Sequence, residues 1–225
     1  VSDGSTDGTG EAVRTFLASR GIGDGTVRLI ELPAGGKPLA LNAGVETASG
    51  EILVFADARQ RFSGDALLHL VANFTDELVG GVTGQLVLDC EGPGQADSTV
   101  ADGVGLYWTY EKWLRRKEST VWSTLGATGA IYALRRRLWR PLPAEALLDD
   151  VLAPMRAVLA GYRIVFEERA VAWDRTSPDG EAESRRKTRT LAGNYQILAQ
   201  EPRLLLPFVN PVWLQYVSHK VGRLV

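Results

Sequence analysis

The residues best suited to chemistry in this chain are acidic, and they stand where apolar runs end. Asp57 follows Glu51-Ile52-Leu53-Val54-Phe55-Ala56 and opens Asp57-Ala58-Arg59-Gln60. A carboxylate at a strand end can hold a hard divalent cation through its oxygens or cap the next turn; position alone leaves both readings open. Asp149 and Asp150 stand side by side before an apolar stretch beginning at Val151. One of them suits a helix N-cap favoured by the dipole. Two exceed what a cap needs, which leaves one as a candidate general base. Asp3 precedes Gly4 in a turn and reads as a ligand contact, while Thr6 or Asp7 reads as the cap of the next helix.

Basic residues supply the complementary chemistry. Gly35-Gly36-Lys37 comes after the apolar run 27–32, with Asn42 and Gly44 further on. The glycines let backbone approach a ligand closely, and a lysine at a helix start can meet a phosphate beside the dipole. It is not a Walker A loop, because Pro38 follows the lysine and Glu31 stands where the first glycine would be. Arg185-Arg186-Lys187-Thr188-Arg189 places four cations in five residues. On a helix Arg189 lies one turn from both Arg185 and Arg186, a spacing able to clamp a diphosphate; a solvated helix face is the plainer reading. Tyr107, Trp108, Tyr110, Trp113 and Trp122 form an aromatic group that fits either a core or a platform for sugar rings.

The elements that must position these residues follow from periodicity. Strands are expected at 27–32, 51–56, 79–88, 128–134, 162–166 and 170–173. Helices are expected at 37–48, 64–74, 101–117, 148–160 and 181–200, and a final helix pair after that. On the 64–74 helix, Leu67, Leu68, Leu70 and Val71 form the expected apolar side; 91–95 reads as a loop. Strands alternating with helices imply an α/β fold with a Rossmann-like, mostly parallel twisted sheet. In such sheets ligands bind beyond the carboxyl ends of the strands, which is where Asp3, Lys37 and Asp57 fall.

Composition narrows the function classes. The 225 residues are 45% hydrophobic and 23% charged, with a net charge of -2, so neither disorder nor a general nucleic-acid binder is expected. Cys90 stands alone and only His69 and His219 exist, which excludes an intrachain disulfide and multi-His zinc sites. From residue 175 onward there are eight Lys/Arg and four Asp/Glu, a basic end suited to phosphate or anionic lipid. The segment 204–214 is apolar but interrupted by Pro207 and Pro211, and Trp213, Val217, Val221 and Leu224 can share one helical face. That stripe fits a membrane-interface helix or a helix docked on its own domain. The chain begins at Val1 in what reads as the end of a strand, so the expectation is a piece of a longer protein.

Six segments in this order resemble family 2 glycosyltransferases of the GT-A fold, and within them the membrane-associated, polysaccharide-synthase-like branch. They are 1–9 (Val-Ser-Asp-Gly-Ser-Thr-Asp-Gly-Thr), 36–44 (Gly-Lys-Pro-Leu-Ala-Leu-Asn-Ala-Gly), 54–59 (Val-Phe-Ala-Asp-Ala-Arg), 126–135, 148–151 (Leu-Asp-Asp-Val) and 186–193. The resemblance implies an inverting, metal-dependent transfer from a nucleotide-sugar, a UDP-sugar, to a carbohydrate acceptor. It implies a GT-A catalytic domain over 1–200, lacking its first strand. Residues 201–225 would be amphipathic interface helices at the inner or plasma membrane, with the catalytic domain facing the cytoplasm. By the same resemblance Asp3, Lys37, Asn42, Asp57, Arg186 and Arg189 bind the nucleotide-sugar, and Asp57 holds Mg²⁺ or Mn²⁺. Gly126, Thr128, Gly129 and Asp149 lie on the acceptor side, and Asp150 is the base. Three positions depart from the family pattern: Arg59 replaces the second Asp of Asp-x-Asp, and Arg186 and Thr190 replace the Gln and Trp of Gln-x-x-Arg-Trp. These departures prompt the alternative of a degenerate sugar-nucleotide-binding module; a sugar nucleotidyltransferase is the other enzyme class weighed.

Overall fold

Asp7 accepts hydrogen bonds from the Thr9 hydroxyl and amide at 2.5 and 3.1 Å. The amide is one that a helix N-terminus leaves open, and the two bonds hold the Asp7 carboxyl below its ordinary range. Helix α1 (Thr9–Ser19) starts here, after the short strand β1 (Ser2–Asp3). A computed structural model describes residues 1–23, 25–89, 99–175 and 180–224. Cys90, the 91–95 loop and the side chains of Tyr107 and Trp108 lie outside the described residues. The described residues form two compact units, within Val1–Gly50 with Pro141–Ala146 and within Glu51–Arg140 with Leu147–Val225.

In the first unit β1 pairs in parallel with β2 (Glu31–Leu32), Ser2 opposite Glu31 and Asp3 opposite Leu32. The strand expected over 27–32 shrinks to these two residues, because a ladder extends only as far as its partner offers backbone groups. An Arg14–Glu31 ion pair ties α1 to β2. Helix α2 (Lys37–Thr47) starts after Gly36 with Pro38 in its first turn, a position that needs no amide donor.

The second unit is built on a five-stranded sheet. Its strands are β3 (Ile52–Ala56), β4 (Arg61–Phe62), β5 (Val79–Asp89), β6 (Ile131–Arg135) and β7 (Arg163–Arg175), in the order β3-β6-β5-β7-β4. β5 and β7 pair in parallel, and β3 and β5 both run against β6, so β3, β5 and β7 share one direction. β6 sits between β3 and β5 as an apolar strand buried on both faces. The two strands expected at 162–166 and 170–173 are one, β7, with a register shift where Thr83–Gln85 faces Phe166–Val171. That bulge is held by Glu167, which accepts bonds from Arg169 and Asn73.

Helix α3 (Ala66–Ala72) covers one face of this sheet through Ala66 and Leu70, which join Phe74, Val82, Ile131 and Ala133 in the core. Leu67, Leu68 and Val71 point outward, correcting the expected apolar side: the buried set recurs every four residues, as one helical face requires. Helix α5 (Asp149–Leu159) buries Val151, Leu152, Met155 and Val158. Helices α4 (Thr99–Val121), α6 (Gly180–Gln200) and α7 (Trp213–His219) complete the unit.

The C-terminal stripe takes the docked alternative. Val212 and Tyr216 are buried, and Trp213, Val217, Val221 and Leu224 are half-buried. His219 bonds Glu118 at 2.8 Å, Arg223 bonds Glu111 at 2.9 Å, and the Tyr195 hydroxyl donates to the Leu224 carbonyl. No helix among the described residues is long and apolar enough to cross a membrane.

Candidate functional site

In the second unit the site grows from the first turn of α5. Helix α6 fixes the chain just before it: Arg189 donates to the Leu147 carbonyl at 2.9 Å, and Gln196 accepts from the Leu147 amide at 2.9 Å. Gly193 lets the two segments close up, since a Cβ there would stand 2.5 Å from Leu148. Asp149 and Asp150 then enter the helix where its dipole favours negative charge. Asp149 is 3% exposed, whereas Asp150 is only partly buried.

The turn over 126–130 is bound to Asp150 at two points. The Ala127 amide donates to the Asp150 carbonyl at 2.7 Å and the Gly129 amide to Asp150 Oδ2 at 3.1 Å. The Thr128 amide donates to Thr83 Oγ1 at 2.9 Å, pinning the turn to β5. Gly126 has a φ of 130°, and a Cβ there would come within 3.3 Å of the Asp150 carbonyl and Val151, so both conformation and space call for glycine. The structure thus brings Gly126, Thr128, Gly129, Asp149 and Asp150 together.

Tyr132, on β6, is a residue that the sequence does not single out. Its ring stacks on Phe55 at 4.6 Å, and Phe55 in turn stacks on Trp139 at 5.1 Å. Burial and the negative charges of Asp149, Asp150 and Asp57 push the Tyr132 hydroxyl well above its ordinary value. Asp57 therefore shares one electrostatic neighbourhood with the acidic pair. Among the described residues, no group of three or more His, Cys, Asp or Glu could hold a metal ion, so the protein offers single carboxylates rather than a cage.

Arg59, where the family pattern has an acid, pairs with Asp174 Oδ2 at 2.7 Å. Asp174, at the end of β7, is 7% exposed on its side chain while Arg59 stays largely in solvent. Asp174 is not legible in the sequence because its partner is distant along the chain and no local pattern marks it.

In α6, Arg185, Arg186 and Arg189 lie on an exposed stretch. The bond from Arg189 to Leu147 gives it a positioning role toward the acidic pair. On α4, Tyr110 and Trp113 stack at 6.1 Å and are half exposed, while Trp122 packs under the Arg163 guanidinium.

The first unit holds the other expected residues. Asp3 accepts from the Gly35 and Gly36 amides at 2.7 and 2.8 Å, one on each carboxylate oxygen. It thereby shapes the loop that leads into α2, and Lys37 stands exposed at that helix start. Asn42 exchanges two bonds of 2.9 Å with the Leu142 backbone, donating to its carbonyl and accepting from its amide. Its amide group is spent on fastening Pro141–Ala146 to α2.

An α/β sheet of this topology, with an acid at the end of β3 and an acidic pair opening α5, defines the GT-A class of glycosyltransferase folds. The chain matches the model of Glycosyl transferase family 2 over residues 1–140 and belongs to that family. No curated protein matches it. Among solved structures it is similar to the mannosyltransferase PcManGT from Pyrobaculum calidifontis, determined with GDP-Man and Mn²⁺. The identity is 26% and the TM-score 0.69, over 88% of this chain and 52% of that one. TarS 1–349 of S. aureus, determined with UDP-GlcNAc, is 19% identical with a TM-score of 0.53, over 98% of this chain and 63% of its own; that likeness is one of fold. The chain thus spans between about half and two thirds of these structures.

Proposed function

We propose that the protein transfers a sugar from a nucleoside-diphosphate sugar, a UDP-sugar, to a carbohydrate hydroxyl with inversion at the anomeric carbon. The observation that carries this reading is the Asp150 carboxylate, fixed by the Gly129 amide at the start of α5. Asp150 takes the proton of the acceptor hydroxyl as its oxygen attacks C1 of the donor; the C1–O bond to the diphosphate breaks, and the diphosphate leaves with the bonding pair. General-base help of this kind is worth about 10²–10⁴-fold.

Asp57 fits a divalent cation. It is a hard oxygen donor at a strand end, and Mg²⁺-like ions are often held by one or two carboxylates together with substrate phosphates. When bound, the cation neutralises charge on the leaving diphosphate. The Mn²⁺ and GDP-Man of PcManGT support this assignment, as does the shared influence of Asp57 and the acidic pair on the Tyr132 hydroxyl. In the second unit Arg186 and Arg189 add charge for the phosphates, Arg189 acting mainly through Leu147. With Thr190 in place of Trp, we read the transfer as single or short additions within the polysaccharide-synthase-like branch. The test is nucleotide release by the full-length protein in membranes, with a panel of UDP-sugars and GDP-mannose and with Mn²⁺ or Mg²⁺. Donor-dependent release of UDP supports the reading, and release from none of the donors overturns it.

The Arg59–Asp174 pair favours one second reading, a sugar-nucleotide-binding module without turnover. Nucleotide binding with no transfer or donor hydrolysis would select it. For the membrane, we place the contact on Leu205, Leu206, Phe208, Val209 and Leu214, which are exposed, Phe208 fully so, rather than on the docked stripe. The catalytic unit would then sit at the cytoplasmic side of the inner or plasma membrane. Phe208→Glu should reduce co-sedimentation with anionic vesicles several-fold; unchanged sedimentation would remove this contact.

A further inference from the structure

Beside the α5 N-terminus lies an open cleft. One wall is α4, through Glu111, Arg115 and Glu118. The floor is the turn at Gly126 and Ala127 with Val151. The far wall is the C-terminal end of the chain, through His219 of α7 and then Lys220 and Arg223. The floor residues are tied to Asp150: Ala127 donates to its carbonyl, and Val151 is its neighbour in sequence. The cleft therefore opens next to the candidate base.

Its charges are unevenly matched. Arg223 pairs with Glu111 at 2.9 Å and His219 with Glu118 at 2.8 Å. Each carboxylate of the lining thus has a partner in the C-terminal segment, and Arg115 and Lys220 are the other basic residues of the lining. Both line the same cleft. Burial holds the Lys220 ammonium below its ordinary value and Arg115 lowers it further, while Asp150, Glu118 and Glu111 act in the opposite sense. Two half-buried cations lining one cleft form a receptor for an anion: an entering oxyanion accepts hydrogen bonds from both.

We propose that this cleft receives an acceptor carrying an anionic group, a phosphate or a carboxylate, bound by Lys220 and Arg115 so that the acceptor hydroxyl is presented to Asp150. The inference rests on the reading of Asp150 as the base of a glycosyl transfer, and it names the acceptor class that reading leaves open. A purely structural role for Lys220, as a counter-charge to Asp150, predicts no anion affinity at all.

The test is calorimetric titration of the full-length protein, held with Mn²⁺ and UDP, using inorganic phosphate and, separately, acetate. The expected result is saturable binding of at least one anion that Lys220→Gln and Arg115→Gln each weaken by about 10- to 100-fold, the range of a lost charge-assisted hydrogen bond. Lys220→Arg should keep the affinity within a few-fold, which separates lost charge from a damaged fold. Binding of phosphate but not acetate assigns a phosphate, and the converse assigns a carboxylate. Displacement of bound phosphate by vesicles containing a phosphomonoester lipid places the group on a lipid acceptor; no displacement places it on a soluble one. If neither anion binds, or if both Gln variants bind as the unaltered protein does, the proposal is overturned. UDP and Mn²⁺ affinity in the same cell reports separately on the donor side, so failure here leaves the glycosyl-transfer reading standing.

Discussion

Replacing Asp150 separates its chemical from its structural work. Asp150→Asn keeps an oxygen able to accept the Gly129 amide, now bonded at 3.1 Å, so the turn over 126–130 should keep its shape. The proton acceptor alone is lost. A general base worth about 10²–10⁴-fold corresponds to about 3–5 kcal/mol of barrier. Asp150→Ala removes the same base and also leaves the half-buried Gly129 amide without its partner, a cost of about 1–3 kcal/mol in stability. The pair of variants should therefore match in transfer rate and differ in denaturant midpoint. Transfer is read as UDP release by the full-length protein in membranes, and nucleotide binding by calorimetry with Mn²⁺ present. The expected outcome is transfer at about 1% of the unaltered rate or less in both variants, with UDP affinity retained and only the Ala variant destabilised. Turnover of Asp150→Asn within tenfold of the unaltered protein would refute the base assignment. Loss of UDP binding in Asp150→Asn would instead show that the carboxylate serves the donor.

Asp57→Ala should weaken Mn²⁺-dependent UDP binding by tenfold or more while leaving metal-free UDP binding alone; unchanged affinity with Mn²⁺ present would count against Asp57 as the metal contact. Glu167 is held at about 2 against an ordinary 4.5, chiefly by the Arg169 guanidinium that bonds it, which corresponds to about 3 kcal/mol of stability. Because its folded value is depressed, this contribution is full above pH 4.5 and disappears as the pH falls through 2. Glu167→Gln should thus be most destabilising near neutrality and lose most of its effect by about pH 2 in urea titrations; a difference that ignores pH would show that the carboxylate's charge is not what holds the β7 bulge.

The parts of the fold read correctly from sequence are those fixed by local pattern. β3, β6 and α5 are apolar runs with acids or glycines at their ends, and Asp149-Asp150 announces a helix start by residue type alone. The acid at the end of β3 is legible for the same reason, whereas the residues over 128–130, read as the start of a strand, form a turn before β6 opens at Ile131. The features that escape depend on contacts distant in sequence. The two strands read at 162–166 and 170–173 are one because Glu167, Arg169 and Asn73 close a bulge between them, and no local signal distinguishes that from a loop. The family resemblance assigns Asn42 to the nucleotide-sugar, and nothing nearby in the sequence reveals that its amide bonds the Leu142 backbone. Tyr132 looks like ordinary core; only the fold brings its hydroxyl into the field of Asp149, Asp150 and Asp57.

The replacement at position 59 bears on how the donor side works. A second acid there would place another negative charge beside Asp57 and strengthen a site for metal alone. Arg59 does the reverse in name, yet its charge is taken up by Asp174 at 2.7 Å, so the Arg59–Asp174 pair is neutral. One carboxylate on the surface of a protein holds a divalent cation weakly; a diphosphate brings further hard oxygens to the same ion. On the proposed reading of Asp57, the nucleotide would complete the metal site, and binding of each would strengthen the other by the same factor. Arg59 would then not abolish cation use but shift the proposed site from one that stores metal to one that acquires it with the donor.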